Sequence, residues 1–219
     1  MPVLGIDSST DKLSVGLAEA DAVIAEKMIA SSFEHASHII GLIDSVLTES
    51  SYSIKDLSGV AVAIGPGSFT GLRIGLAVAK GITVAMHIPI IGVSTFEVLS
   101  HRLSGRFERF YLAAPARRGE YYLCRVEPET TIREHIALTG EDELVDKIGA
   151  WPAGLVGREP SGEWTRIAHL IPPEDLVISG GELARMGAKW FGEGRADDPA
   201  TLEPLYIAPS QAERRFGQK

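Results

Sequence analysis

Apolar residues fall along this chain in short runs and helical stripes, separated by glycine, proline and serine. Val3-Leu4-Gly5-Ile6-Asp7 reads as a strand and Ser8-Ser9-Thr10-Asp11 as a tight turn. Residues 13–17 and 23–28 read as two more strands, which makes an antiparallel meander of three. Ala36, Ile39, Ile40, Ile43, Val46 and Leu47 recur at helical spacing, so 35–49 is predicted as an amphipathic helix. Val60-Ala61-Val62-Ala63-Ile64 has the continuous apolar character of a buried strand. A helix over 76–85, a strand at 89–93 and a helix capped by Ser94 or Thr95 and running to about Leu103 complete a βββαβαβα order.

The order recurs, more weakly, in the second half. Residues 110–114, 121–126 and 131–135 are predicted as a second meander, 141–148 as a helix, and 154–157 and 176–178 as strands. The segment 182–191, with Leu183, Ala184, Met186, Trp190 and Phe191, is predicted as a helix, and a proline-rich tail with Pro204-Leu205-Tyr206 follows. An α/β fold of two duplicated βββαβα lobes is the expectation. The lobes are 1–103 and 104–219, whose tail can pack back on the first lobe.

Between the strand at 60–64 and the following helix lies Gly65-Pro66-Gly67-Ser68-Phe69-Thr70-Gly71-Leu72-Arg73-Ile74-Gly75. Glycine permits positive φ and close backbone approach, and proline stiffens a turn. Ser68 and Thr70 are both candidate N-caps. A corner of this kind can present backbone N–H groups to an anion. Leu72-Arg73 after Gly71 excludes a Walker A loop, and the GxGxxxG spacing is not the dinucleotide fingerprint. Two readings stay open: an anion contact involving Gly65, Gly67, Ser68 and Arg73, or a tight turn that packs helix on sheet. Gly71, Gly75 and Ala79 form a row with almost no side chain. That row faces either a neighbouring helix of another chain or the lobe's own sheet.

Composition narrows the function classes. With 45% hydrophobic and 23% charged residues, the chain has the make-up of a globular protein with a real core. No apolar run reaches membrane-spanning length and Met1-Pro2-Val3 leads straight into a strand, so no membrane association is expected and a cytoplasmic location is. The net charge of −8 argues against gripping nucleic acid by bulk electrostatics, although a partner can do the gripping. Cys124 is the sole cysteine and sits in a strand pattern, as a buried structural thiol would. His35 and His38, three apart near a helix start, have no evident third ligand and read as exposed polar residues; no metal is expected. There is no His-Glu-x-x-His, and Ser68 has no recognisable catalytic partner. Arg117 and Arg118 read either as a contact to phosphate or to a partner's carboxylates, or as a solvated turn.

Ile6-Asp7-Ser8-Ser9-Thr10, Glu34-His35 and above all the eleven-residue glycine corner resemble the bacterial TsaB (YeaZ) family. Ala79-Lys80-Gly81, Ile88-Pro89 and Gly92-Val93-Ser94 add to the resemblance, which covers the first predicted lobe closely and the second thinly. Ala116-Arg117-Arg118-Gly119-Glu120-Tyr121 is similar to the family's Asp-Ala-Arg-x-Gly-Glu-Val-Tyr, with Pro115 where the aspartate stands. Pro204-Leu205-Tyr206-Ile207 is similar to its Pro-x-Tyr-Leu-Arg, with Ala208 in place of arginine.

The resemblance implies the actin-like ATPase (ASKHA) fold and a non-catalytic part in making threonylcarbamoyladenosine beside the anticodon of tRNA. It implies pairing with a TsaD-type transferase, joined by a TsaE-type ATPase, a homodimer when alone, and only indirect contact with tRNA. It points to the 1–103 lobe as the partner-binding one and to its first two helices as the pairing surface: Ala36, Ile39, Ile40, Ile43, Val46 and Leu47 on one, Gly71, Leu72, Gly75, Leu76 and Ala79 on the other; it also makes Arg117 and Arg118 candidates for a contact to tRNA or a partner. Catalytically active actin-like folds carry a glycine two residues after the first-hairpin aspartate, where this chain has Ser9. Asp7, Ser9 and Thr10 are therefore candidates for a nucleotide or anion contact, or for organising the turn. No cofactor is expected in the chain itself; a nucleotide at a partner interface is compatible with the resemblance. The alternative is an actin-fold ATPase or small-molecule phosphotransferase.

Overall fold

A computed structural model describes residues 1–30 and 34–207 of the chain, in two compact units. In chain order the elements are β1 (Val3–Asp7), β2 (Lys12–Glu19), β3 (Ala22–Ala30), α1 (His35–Glu49), β4 (Gly59–Gly65), α2 (Phe69–Met86), β5 (Ile90–Ser94) and α3 (Thr95–Leu103). The second half supplies β6 (Phe110–Pro115), β7 (Glu120–Val126), β8 (Ile136–Gly140), α4 (Leu144–Ile148), β9 (Ala153–Leu155) and α5 (Gly180–Gly192). The expected break at 103/104 falls between Arg102 and Leu103, but residues Val177–Pro204 group with the first unit.

The first unit is built on a sheet in the order β3-β2-β1-β4-β5, antiparallel through β1–β3 and parallel through β1, β4 and β5. Every residue of β1, β4 and β5 is buried, as a strand covered on both faces must be. Successive residues of a strand point to opposite faces. On β1, Ile6 faces Gly75 of α2, while Val3 faces Gly187 and Gly5 faces Gly180 of α5. Helices α1 and α2 lie side by side over one face of the sheet, and α5 crosses the other.

Contact with α5 is backbone to backbone. A Cβ on Gly5 would fall 1.9 Å from the Gly180 carbonyl oxygen, and one on Gly16 would fall 2.2 Å from the Gly181 nitrogen. The start of α5 is capped twice. Ser179 Oγ accepts the Glu182 N–H at 3.0 Å, and Gly180 N–H donates 2.9 Å to Ser14 Oγ, which itself donates 2.9 Å to Glu26 Oε1. The helix expected over 182–191 thus begins at Gly180 and completes the first unit.

In the second unit the sheet order is β8-β7-β6-β9, antiparallel through β6–β8 with β9 parallel to β6. Its core gathers Tyr121, Leu123, Leu144, Ile148, Leu155, Trp164 and Ile167. The third meander strand lies at Ile136–Gly140 rather than at 131–135, where Ile132–His135 form a 3₁₀ turn. The polar run Arg133-Glu134-His135 cannot alternate faces, whereas the strand that follows buries Ile136 and Thr139. Residues 176–178 are not a strand; the Val177 carbonyl accepts Arg102 Nη1–H at 2.7 Å instead of a ladder bond. The expected helix 141–148 is a 3₁₀ turn at Glu141–Glu143 leading into α4.

One correction concerns length. Helix α2, at 18 residues and mean hydropathy 1.3, is long and apolar enough to cross a bilayer by composition. Its Leu72, Leu76, Ala79 and Ile82 are packed into the first unit's own core.

Candidate functional site

The glycine corner closes onto the β1–β2 turn. Ser68 N–H donates to the Ser9 carbonyl at 2.7 Å, and Ser8 Oγ donates to the Gly71 carbonyl at 2.8 Å. From behind, Ser94 Oγ donates to the Gly65 carbonyl at 2.9 Å and Thr95 Oγ1 to the Pro66 carbonyl at 2.7 Å. Gly65 has φ +104°, a region open to glycine. A Cβ on Gly67 would lie 2.4 Å from the Ser9 carbonyl oxygen, so glycine is needed there for close approach. Of the two candidate caps Ser68 serves: its Oγ accepts the Gly71 N–H at 3.2 Å.

Asp7 ends β1 under this turn with no exposed surface. Its Oδ1 accepts the Ser9 N–H at 3.0 Å; its Oδ2 has no hydrogen-bond partner among the described residues. Burial pushes the carboxyl up from the ordinary 3.8 to about 7, and the hydrogen bonding from Ser9 only partly offsets it. Asp7 is therefore a largely desolvated acid that organises a turn. Thr10 Oγ1 accepts the Lys12 N–H at 3.2 Å. A phosphate cradle needs backbone N–H groups facing outward. Here the Ser9 and Ser68 N–H groups bond within the turn and corner, while Asp7 Oδ2 and the Ser9 hydroxyl are buried without a hydrogen-bond partner among the described residues.

His35 corrects the expectation from sequence. It is buried, not exposed, with Nε2 2.8 Å from the Thr10 carbonyl oxygen, which ties α1 to the same turn. His38 is exposed beside Glu34, 3.4 Å away. The two do not converge, and the described residues hold no group of three or more His, Cys, Asp or Glu side chains able to bind a metal. Cys124 is buried and free, and burial pushes its thiol up to about 12. Arg117 is tied to Glu120 across the β6–β7 turn, with Nη2 2.6 Å from Oε1, and Arg118 is exposed. Arg73 lies over the Phe69 ring at 3.9 Å.

Most of the expected pairing stripe faces inward. Ile39, Ile43, Val46 and Leu47 of α1 and Gly71, Leu72, Gly75, Leu76 and Ala79 of α2 are buried in the first unit; only Ala36 and Ile40 face out. The small row packs on β1 and its turn. A Cβ on Gly71 would fall 2.0 Å from the Ser8 carbonyl oxygen, and one on Gly75 would fall 2.3 Å from Ser8 Oγ.

The same two helices nevertheless leave large apolar residues on their outer face. Ile40 is 62% exposed, Val84 61% and Phe69 56%. Ala77, Gly81 and Ala85 form a second small row, on the outside. A methyl group at either Gly41 or Gly81 would meet nothing within 4 Å. The signal was present in the sequence: α2 carries just two charged residues, Arg73 and Lys80, too few for an ordinary solvent-facing side.

The sequence and the fold place the chain among known proteins. Residues 27–181 match the family model described as "TsaD: tRNA N6-adenosine threonylcarbamoyltransferase". The solved structure of YeaZ from Pseudomonas aeruginosa superposes with a TM-score of 0.70 at 22% identity, covering 94% of this chain and all of that one. A dehydratase activator from Clostridium difficile, solved with bound ADPNP, superposes at 0.53 with 9% identity over 90% of this chain and 99% of its own. The class is thus the actin-like ATPase fold.

Two curated relatives are each called tRNA threonylcarbamoyladenosine biosynthesis protein TsaB. The one from Bacillus subtilis is 38% identical over 99% of this chain and 98% of its own length; the one from Escherichia coli is 29% identical over the full length of both. The chain belongs to the TsaB (YeaZ) family of tRNA threonylcarbamoyladenosine biosynthesis proteins.

Proposed function

We propose that the chain is a non-catalytic scaffold subunit required for threonylcarbamoyl transfer to adenosine N6 beside the anticodon of tRNA. In this reading it pairs with a TsaD-type transferase, the pair recruits a TsaE-type ATPase, and tRNA is reached mainly through the partner. The chain alone forms a homodimer through the same face. It needs no cofactor of its own.

The observation that carries the reading is the outer face of α1 and α2. Phe69, Ala77, Gly81, Val84 and Ala85 are exposed there along an 18-residue helix, with Thr70 and Arg73 beside Phe69 at its start. A second helix pair can approach such a face closely and bury Ile40 and Val84, and a self-complementary patch of this kind suits a two-fold pair. The β1–β2 turn supports the non-catalytic half of the reading, because the Ser8 hydroxyl and the Ser9 carbonyl bind the chain's own corner.

The test is Val84→Glu. The side chain is largely exposed, so the melting temperature should stay within about 2 °C, as surface changes usually do. Binding to the transferase subunit should weaken at least tenfold, since a buried unpaired carboxylate costs more than the roughly 1.4 kcal/mol per decade. Cells relying on the variant should lose threonylcarbamoyladenosine from tRNA by nucleoside mass spectrometry while still making the adenylate intermediate. Normal pairing by the variant would move the interface elsewhere. Normal nucleoside levels in cells that lack the protein altogether would refute the pathway role.

A further inference from the structure

The second unit carries an arrangement that the pairing function leaves unused. Trp151, on the loop between α4 and β9, is half-buried, unlike Trp164 in the core. The guanidinium of Arg125, on β7, lies 4.4 Å from its ring centroid, and that of Arg109, just before β6, lies 5.8 Å away. Tyr111 of β6 adds a second ring, 5.6 Å from Trp151 and tilted by 42°. Register explains the convergence: Tyr111 sits opposite Arg125 on β7 and opposite Ala153 on β9. Tyr111 N–H also donates to the Pro152 carbonyl at 2.8 Å, fixing the loop that presents Trp151.

Two cations on one ring repel each other and gain from an anion. Glu127 supplies one for Arg125, with Oε1 2.9 Å from Nε. Arg109 is exposed and has no ion-pair partner among the described residues. Neighbouring Glu108 is exposed and Glu127 half-buried, so two carboxylates accompany the two guanidiniums, and the Arg109 guanidinium is left without an ion pair among the described residues. Flat cationic planes interleaved with indole and phenol rings suit one ligand chemistry: unstacked nucleobases, which stack on aromatic faces and guanidinium planes, joined by phosphates that a free guanidinium neutralises. An acidic protein loop would use the charges and leave the ring faces idle.

We propose that Arg109, Trp151 and Arg125, backed by Tyr111, form a contact for unpaired nucleotides of an RNA loop, with a base stacked on the Trp151–guanidinium assembly and a phosphate on Arg109. The proposal rests on the tRNA role argued above and gives this chain a direct hold on the substrate. It also accommodates the net charge of −8: the contact is local and stacking-based, so it needs no basic surface at large.

The test is fluorescence anisotropy of the full chain with an unmodified anticodon stem-loop and with a fully paired RNA hairpin of the same length. Trp151→Ala should weaken stem-loop binding about tenfold, in the range of one lost base stack, and hairpin binding less than twofold. Arg109→Gln should weaken it severalfold and reduce the slope of log Kd against log salt by about 0.7, the single-strand value for one phosphate. Arg195→Gln, which removes a cation stacked 4.1 Å from Trp190 on the first unit, is the control for bulk charge and should bind as the wild type does.

Three outcomes would each overturn the proposal: wild-type binding weaker than about 100 μM, the loose end of non-specific affinity; equal losses for Arg195→Gln and Arg109→Gln; or unchanged stem-loop binding by Trp151→Ala. Variants that bind RNA normally but lose the transferase subunit would assign the stack to a protein contact instead and overturn it as well. None of these results touches the nucleoside assay, so failure of this contact is distinguishable from failure of the pathway role.

Discussion

Asp7 shows how burial governs what an aspartate can do. An aspartate at the end of the first strand invites a phosphate or metal role, but this one is sealed under the Ser8–Ser9 turn with one oxygen unpartnered among the described residues. Burial raises its folded-state pKa to about 7 from the ordinary 3.8. The folded protein therefore holds this proton more tightly than the unfolded chain. Its stabilising effect is fully present below pH 3.8 and is lost as pH rises through about 7. The full difference amounts to roughly 4 kcal/mol at most. Asp7→Asn should flatten the fall in stability between about pH 4 and pH 7, measured by urea unfolding across that range. The slope is the readout, because the amide introduces a buried donor whose own cost is independent of pH. An unchanged slope would show that Asp7 ionises freely in the fold. Cys124 belongs to the same scale: with its thiol pushed up to about 12 and no exposed surface, it should resist alkylation at about pH 8 in the native protein and react on unfolding.

At the scale of elements, α2 has two small rows, and they do different things. Gly75 faces Ser8, so Gly75→Leu overpacks a buried contact; a loss of about 1–3 kcal/mol or more should lower the melting temperature by about 5 °C or more. Gly81 has open space around it. Gly81→Leu should melt no lower than wild type, since leucine favours a helix over glycine, yet should hinder close pairing in sedimentation and transferase-binding measurements. If both variants melt normally, the inward row is not packed as described.

The small row at Gly71, Gly75 and Ala79 is legible in the sequence but its direction is not, because spacing along a helix defines faces and not which face the sheet covers. The outer row is harder still to find, and α2's scarcity of charge is the available signal. Local elements of the first unit are legible because β1, β4 and β5 are short, mostly apolar runs and α1 is plainly periodic. The allegiance of α5 is not. Its contacts pair Gly5 and Gly16 with Gly180 and Gly181, and nothing local links glycines so far apart in the chain. The third strand of the second meander is expected one segment early, since Thr131 and Ile132 look strand-like until the polar run that follows is weighed. The burial of His35 escapes a sequence reading because its partner is a backbone carbonyl, at Thr10, which no side-chain pattern reveals.

The whole molecule joins an ATPase-type fold to a hairpin that binds its own corner. In the first unit, the Ser9 N–H goes to Asp7, the Ser68 N–H goes to the Ser9 carbonyl and Ser8 is bonded to Gly71. In the second unit, the β6–β7 turn bears Arg117 and Arg118, with Arg117 held by Glu120. In the first hairpin two of the N–H groups that phosphoryl chemistry would use for positioning are bonded within the chain, and in the second the bare backbone at Gly119 is flanked by the bulky, exposed Arg118. The isolated chain should therefore hydrolyse ATP far more slowly than the roughly one turnover per second at the low end of typical enzymes. A sensitive phosphate-release assay on the purified chain decides it, with Asp7→Ala run alongside to separate the chain's own activity from a contaminating ATPase. Turnover near one per second that vanishes in the variant would make the chain an enzyme and restore the phosphotransferase alternative. Any residual rate shared equally by both proteins would come from elsewhere, and the ATPase fold in this chain would then serve as a framework for presenting α1 and α2.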